Sequence, residues 1–253
     1  MRCPGCGFFQ KPESLCKRCG ASLQMPSSPA ARYAPDGTRA QAQKEAAWDE
    51  EGWGPWLNEL LFYVPAAIDP IAFYGRVLLY VVFLIWGLQF IAMDHTKVVG
   101  GYPPINQSFM HTVNLVFHEA GHVLFAPFGR FMMVLGGTLG QWLIPFIVMC
   151  AFVFKTRDTF AATVGLWWLG QSFMDAAPYI NDARAEQLVL LGGVTGRDVP
   201  GYHDWNTILR DLGWLQYDHT IAAIVNAIGI ILMLASFAWG AYVLTMQQRH
   251  LSS

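Results

Sequence analysis

The chain has 253 residues, of which 54% are hydrophobic and only 13% are charged. Because ordinary soluble domains contain about 25% charged residues, this composition argues against a protein that is soluble throughout. The formal net charge of −2 is too small to indicate a strongly acidic or nucleic-acid partner, and we expect no nucleic acid to bind. The sequence predicts an all-α polytopic membrane protein, preceded by a small module at its N-terminus.

Two Cys-x-x-Cys pairs lie at the start of the chain: Cys3 with Cys6, and Cys16 with Cys19. Thiolates two residues apart bind one ion in a tight turn, and two such pairs complete a closed tetrahedral site. Residues 1–23 are therefore predicted to form a ribbon around one structural zinc ion, with redox pairs or another metal as alternatives. Because no apolar segment precedes the first pair, we expect the ribbon to remain in the reducing cytoplasm.

Two segments separate the ribbon from the apolar part of the chain. Residues 24–47 are rich in Pro, Ala and Ser without apolar periodicity, which predicts a flexible linker. Residues 48–70 mix Trp, Leu and Tyr with acidic residues, a composition that suits either the headgroup layer of a membrane or an ordinary amphipathic connector. Residues 71–253 are predicted to form a transmembrane domain.

Five windows of this domain approach the length of about 20 apolar residues that a membrane span requires. They are 71–93, 109–129, 131–154, 159–180 and 220–244. With an inner N-terminus, this arrangement places most of the sixteen Lys and Arg residues on the inner side, which favours a multi-pass protein of the cell (inner) membrane with a cytoplasmic N-terminus. The second and fourth windows carry ionisable side chains, which are costly in lipid and therefore indicate a polar site.

The second window contains the motif His118-Glu119-Ala120-Gly121-His122. Histidines four residues apart project from one face of a helix, so both imidazoles can bind one cation. Glu119 then lies beside the ion, where it can accept a proton from an activated water molecule. The pattern predicts a catalytic zinc ion held by His118 and His122, with Glu119 as the general base.

A catalytic zinc site needs a third protein ligand from elsewhere in the chain. Asp175 lies at nearly the depth of the histidines if the fourth span is a straight helix. A helix break at Pro178 would instead let the following residues turn back and bring Asp182 to the site. His203, in the loop after the fourth span, is a further candidate as an additional ligand, a gate or a substrate contact. These alternatives stay open on geometry alone.

Residues 109–184 resemble the site-2 protease family of intramembrane zinc metalloproteases, which pair HExxH on one transmembrane helix with a later Asn-x-x-Pro…Asp-Gly segment. The resemblance implies that Asp175 stands at the substrate-binding Asn, that Pro178 matches the helix-breaking Pro, and that Asp182 is the third zinc ligand. The sequence departs from the pattern in the Asp at 175, in a spacing shorter by one, and in Ala183-Arg184 where the family has glycine.

We therefore expect an intramembrane zinc metalloprotease that hydrolyses peptide bonds in or near the transmembrane segments of a protein substrate. Small-molecule hydrolysis at the same centre is a weaker alternative. A non-proteolytic membrane zinc protein, or a scaffold that recruits a protein partner through its ribbon, is the main rival. The sequence does not identify the substrate.

Overall fold

The computed structural model describes residues 53–251, which contain seven α-helices and no β-structure beyond two isolated bridges. The helices are α1 Trp53–Leu61, α2 Pro70–Ile91, α3 Phe109–Phe125, α4 Arg130–Ala151, α5 Thr159–Asn181, α6 Asp204–Asp211 and α7 Asp218–Gln248. The all-helical prediction is confirmed for this part of the chain. The predicted ribbon, with Cys3, Cys6, Cys16 and Cys19, and the predicted linker 24–47 lie outside the described residues.

Three helical segments of the described chain are long and apolar enough to cross a membrane: Pro70–Ile91, Arg130–Thr156 and Leu215–Gln248. They contain α2, α4 and α7, and they coincide with the first, third and fifth predicted windows. Their length and composition indicate a membrane protein. The second and fourth windows also form helices, α3 and α5, which carry the ionisable groups.

Helix α5 lies at the centre of the bundle, and most of its side chains are buried. It packs most extensively against α7 and also against α4. Backbone approaches backbone where Gly170 of α5 meets Gly229 of α7, since a Cβ at either glycine would lie less than 3 Å from the carbonyl oxygen of the other. Large apolar side chains point outward instead, among them Ile71 and Leu78 on α2 and Ile231 on α7. Small residues at the helix contacts and large apolar side chains on the outer surface are what a lipid environment favours.

Helices α3 and α4 also touch through their backbones. A Cβ built on Gly121 would collide with the carbonyl group of Gly136, and one on Gly140 would lie 2.5 Å from the carbonyl oxygen of Phe117. Gly136 and Gly140 are four residues apart, which is the small-xxx-small spacing that lets membrane helices pack closely. Gly121 is therefore required for the close contact between α3 and α4.

The predicted helix break at Pro178 is wrong. Helix α5 continues through Pro178 to Asn181, and Asp182 is its C-cap residue. A proline removes only one backbone donor, and so near a helix end the last turn can still form around it. The helix ends only at Asn181, so Pro178 does not turn the chain and does not bring Asp182 back toward α3.

We expect Gly140→Ala to lower the stability of the bundle, because the added methyl group meets the fixed backbone of α3. Overpacking of this kind costs about 1–3 kcal/mol in the free energy of unfolding. Gly75→Ala on α2 is the matched control, since no atom lies within 4 Å of a Cβ at that glycine. Thermal unfolding in detergent, followed by circular dichroism, should show a lower Tm for Gly140→Ala only. Equal Tm values for the two variants would contradict the proposed packing.

Candidate metal centre

The two motif histidines project from the same face of α3, with ring centroids 4.8 Å apart. Ligand atoms of His118, Glu119 and His122 all lie within 4.8 Å of one another, close enough to hold a metal ion. His118 is buried, His122 is half-buried and Glu119 is exposed to a cavity that all three residues line. The structure therefore brings together the three motif side chains that the sequence predicted to act together.

A fourth side chain, that of Asp204, reaches the histidines from the first residue of α6. Its Oδ2 atom lies 3.0 Å from His118 Nε2 and 3.3 Å from His122 Nε2. Ligand atoms of a tetrahedral ion bound at 2.0–2.2 Å are separated by about 3.3–3.5 Å, which is close to these distances. Asp204 thus occupies the position that a third protein ligand requires.

The remaining ring nitrogens fix which tautomer each imidazole adopts. His118 Nδ1 lies 3.0 Å from Gln141 Oε1, and His122 Nδ1 lies 2.8 Å from the carbonyl oxygen of Met133. The Gln141 amide is oriented in turn by its Nε2 group, which donates to the carbonyl oxygen of Ser172. Since both partners of the rings are acceptors, each Nδ1 carries a proton and donates it. In the neutral rings the lone pairs on Nε2 then face Asp204.

The convergence of two Nε2 lone pairs on one carboxylate oxygen is unfavourable unless a positive charge lies between them. A cation satisfies all three acceptors, and imidazole ligands whose other nitrogen donates to a carbonyl oxygen are typical of zinc sites. Burial raises the pKa of Asp204, yet protons on the two Nε2 atoms, donated to its carboxylate, outweigh this effect and lower it to about 2. A cation between the three groups would take the place of those protons, and the donor set fits zinc.

Contacts with neighbouring helices fix the position of α6 and of its first residue, Asp204. Its buried face contributes Trp205 and Ile208 to an apolar cluster with side chains of α5 and α7. Trp205 Nε1 donates to Thr138 Oγ1 on α4 at 3.1 Å, and the backbone N–H of Asp204 donates to the hydroxyl oxygen of Tyr179 on α5 at 2.8 Å. Contacts to two long helices thus orient the Asp204 carboxylate.

Asp182, which the resemblance implied as the third ligand, has other partners. Its two carboxylate oxygens accept backbone N–H groups of Gln187 and Leu188 at 3.1 and 2.9 Å, and it does not line the cavity. His203 contacts Asp182 and the first turn of α6. The structure brings neither residue to the histidine pair, because α5 continues past Pro178 and the chain returns to α3 only at Asp204.

Asp175 lies in a separate polar cluster that lines the same cavity. Its carboxylate is 3.1 Å from His111 Nδ1 and accepts hydrogen bonds from the side-chain amides of Asn106 and Asn114. It therefore does not complete the metal centre. The sequence analysis did not identify Asp204 as a ligand. The feature that could have pointed to it is an acidic residue at the start of a short amphipathic helix.

One cavity of about 550 Å³ joins the two polar clusters. Along α3 it is lined in succession by His111, Leu115, His118 and His122, and the opposite wall is formed by residues 188–192. The candidate metal centre lies toward one end of this surface and the Asp175 cluster toward the other. A molecule in the cavity would therefore contact both.

We expect Asp204→Ala to weaken zinc binding at this centre by more than the roughly 10–100-fold typical for loss of an outer-shell partner, since one of three protein ligands is removed. Asp211→Ala is the control, because Asp211 ends the same helix and faces Arg130 on the surface. Chelator competition on purified protein measures both affinities. If Asp204→Ala retained the zinc that His118→Ala loses, this residue would be excluded as a ligand.

Gly137→Ala should also impair metal binding without removing any ligand. A Cβ at this position would lie 2.5 Å from His118 Nε2 and 2.6 Å from His122 Nε2, inside the space between the rings. Gly140→Ala perturbs the same helix but meets only backbone of α3. In a metal-content assay, zinc should fall in Gly137→Ala well below the level in Gly140→Ala, and similar contents would count against a site in this cradle.

The chain matches no protein-family model, and it has no significant match among curated proteins or solved structures. The resemblance to the site-2 protease family stays a prediction that rests on the motif residues of α3 and α5.

Proposed function

We propose that this protein is an intramembrane zinc metalloprotease that hydrolyses peptide bonds in or near transmembrane segments of protein substrates. The observation that supports it best is the convergence of His118, His122 and Asp204 on one point beside Glu119, at the wall of a cavity. Two imidazoles and one carboxylate form a donor set typical of catalytic zinc, with a fourth position left for water or substrate.

The protein's own groups suit hydrolysis of an amide bond. When bound at such a centre, zinc polarises the scissile carbonyl and activates a water molecule for attack. The carboxylate of Glu119 lies beside the imidazoles and faces the cavity, so it is placed to take the proton of the attacking water and pass it to the leaving amine. Gln141 and the carbonyl of Met133 hold the two imidazoles in the required orientation.

The cavity suits a short stretch of unwound polypeptide. Its volume of about 550 Å³ lies within the usual range for ligand sites of about 300–1,000 Å³. Leucine and valine side chains of residues 188–191 offer an apolar wall, and the Asp175 cluster offers hydrogen-bonding groups to the backbone of the substrate. We assign Asp175 to substrate binding on this basis.

We further propose that α3 and α5 cross the membrane with α2, α4 and α7, giving five spans. On α3, Phe109, Val116 and Val123 are spaced seven residues apart and all are exposed, which suits a face turned toward lipid. The polar residues of α5 are covered by neighbouring helices, so they would avoid contact with lipid. The distribution of Lys and Arg favours a cytoplasmic N-terminus. We place the protein in the cell membrane on the basis of this multi-pass topology, and we propose that its zinc ribbon binds a protein partner.

Glu119→Gln tests the catalytic role directly. The amide cannot accept the proton, so we expect turnover to fall by a factor of roughly 10²–10⁴ while zinc stays bound. Glu59→Gln, a change at a surface residue of α1 that does not line the cavity, is the control. Cleavage of a panel of transmembrane peptides in proteoliposomes, measured by mass spectrometry together with zinc content, gives both readouts.

Two results would overturn the protease assignment. One is a Glu119→Gln variant that cleaves as fast as the unaltered protein. The other is a fully zinc-loaded protein that cleaves no membrane peptide, which would favour a metal-handling or scaffolding role. A parallel assay with small ester and amide substrates would identify a small-molecule hydrolase at the same centre.

A further inference from the structure

A buried acid–imidazole pair, Asp182 and His203, lies directly behind the candidate metal centre. Asp182 is 6% exposed and His203 is 1% exposed. Neither lines the cavity, so neither meets a substrate or an ion there. Buried polar groups are costly unless they are hydrogen-bonded or paired, so the partners of these two side chains indicate what they stabilise.

His203 is oriented by the helix that it caps. Its Nδ1 atom accepts the backbone N–H of Asn206 at 3.2 Å, and its carbonyl oxygen accepts that of Thr207 at 3.1 Å. Since Nδ1 is an acceptor, the ring proton is on Nε2. Nε2 lies 3.4 Å from Asp182 Oδ2, a contact that does not meet hydrogen-bond geometry, and it has no hydrogen-bond partner among the described residues. Asp182 is the carboxylate beside which this ring nitrogen lies, so the contact between the two is electrostatic.

Asp182 connects this imidazole to the wall of the cavity. Its Oδ1 atom accepts the backbone N–H of Gln187 and its Oδ2 atom accepts that of Leu188, the first residue of the wall 188–192. One buried carboxylate therefore accepts hydrogen bonds from the start of the cavity wall and also contacts His203, the residue that caps α6.

The pair also reaches the metal centre through its neighbours. Asp204 follows His203 in the chain, and its backbone N–H donates to Tyr179. The ring of Tyr179 packs on that of His203 with centroids 4.3 Å apart, and it lies 6.2 Å from the ring of His118. His203 is thus fixed between Asp182 and Tyr179, and the backbone that carries the Asp204 carboxylate is fixed with it. Metal ligands need placement within about 0.5 Å of the productive geometry.

We infer that Asp182 and His203 are positioning residues that hold Asp204 against the histidine pair, and that neither is itself a metal ligand. The inference rests on the metal centre of the proposed function and does not depend on proteolysis.

The test compares zinc affinity and the visible absorption spectrum of the Co²⁺-substituted full-length protein in Asp182→Asn and His203→Asn. Asp182→Asn keeps one acceptor oxygen but turns an NH2 group toward at least one of the N–H groups that the carboxylate faces. His203→Asn leaves a side chain that can still cap α6 but cannot reach Asp182. We expect each variant to bind zinc roughly 10–100-fold more weakly, with a Co²⁺ spectrum shifted toward that of Asp204→Ala. The double variant should bind zinc about as tightly as whichever single variant has the lower affinity, because the two residues act as a unit.

Asp218→Asn is the matched control. Asp218 is also buried, also accepts backbone N–H groups and, like Asp182, does not line the cavity. Its hydrogen-bond partners, Arg184 and His219, lie outside the segment 188–204 that carries the cavity wall and Asp204. We expect this variant to lose thermal stability while its zinc affinity and Co²⁺ spectrum stay unchanged. The affinity of the membrane centre is taken as the component that His118→Ala abolishes, which separates it from zinc bound elsewhere.

Unchanged affinity in Asp182→Asn, or an equal loss in Asp218→Asn, would overturn the inference. Complete loss of zinc in Asp182→Asn, matching His118→Ala, would make Asp182 a ligand and overturn it as well. If the unaltered protein lacks the zinc component that depends on His118, both this inference and the proposed function fail. Zinc binding without peptide cleavage would instead overturn the proposed function alone.

Discussion

The direct backbone contact between α3 and α4 is the constraint on which the candidate site depends. Glycines at 121, 136 and 140 let the two backbones approach so closely that a Cβ atom at any of them would lie less than 3 Å from an atom of the other helix. At this distance a backbone carbonyl of α4 reaches one imidazole and the Gln141 side chain reaches the other. A larger residue at the contact would push the two backbones apart and lower the stability of the bundle. Close packing thus determines the orientation of the ligands as well as the stability of the bundle.

A second constraint is the cost of polar groups inside an apolar protein. Helix α3 meets it by dividing its surface: an apolar face points outward, and His111, His118 and His122 face the cavity. Helix α5 meets it by being enclosed, so that Gln171, Ser172 and Asp175 contact other helices. Each buried polar side chain of the site is held by another polar group, and these pairings join α3, α4 and α5 into one framework.

The sequence predicted the features that local rules determine. Long apolar windows identified the three helices that can cross a membrane, and a four-residue spacing identified His118 and His122 as a pair. It failed where the answer depends on the path of the chain between helices. The position of Asp182 depends on whether α5 continues past Pro178. The position of Asp204 depends on the path of residues 188–203 beside the cavity. Neither path has a periodic signal.

The origin of the three ligand positions matters for how such a centre can work. Two of them belong to α3, which is rigid, but the third comes from a helix of eight residues at the end of a long loop. The same loop supplies the cavity wall, and Asp182 anchors both ends of it. Because one anchor serves both, the cavity wall and the third ligand should move together: a loop that opens the cavity would also withdraw Asp204 from the histidines. We therefore expect closure of the cavity and completion of the metal centre to be coupled in this architecture.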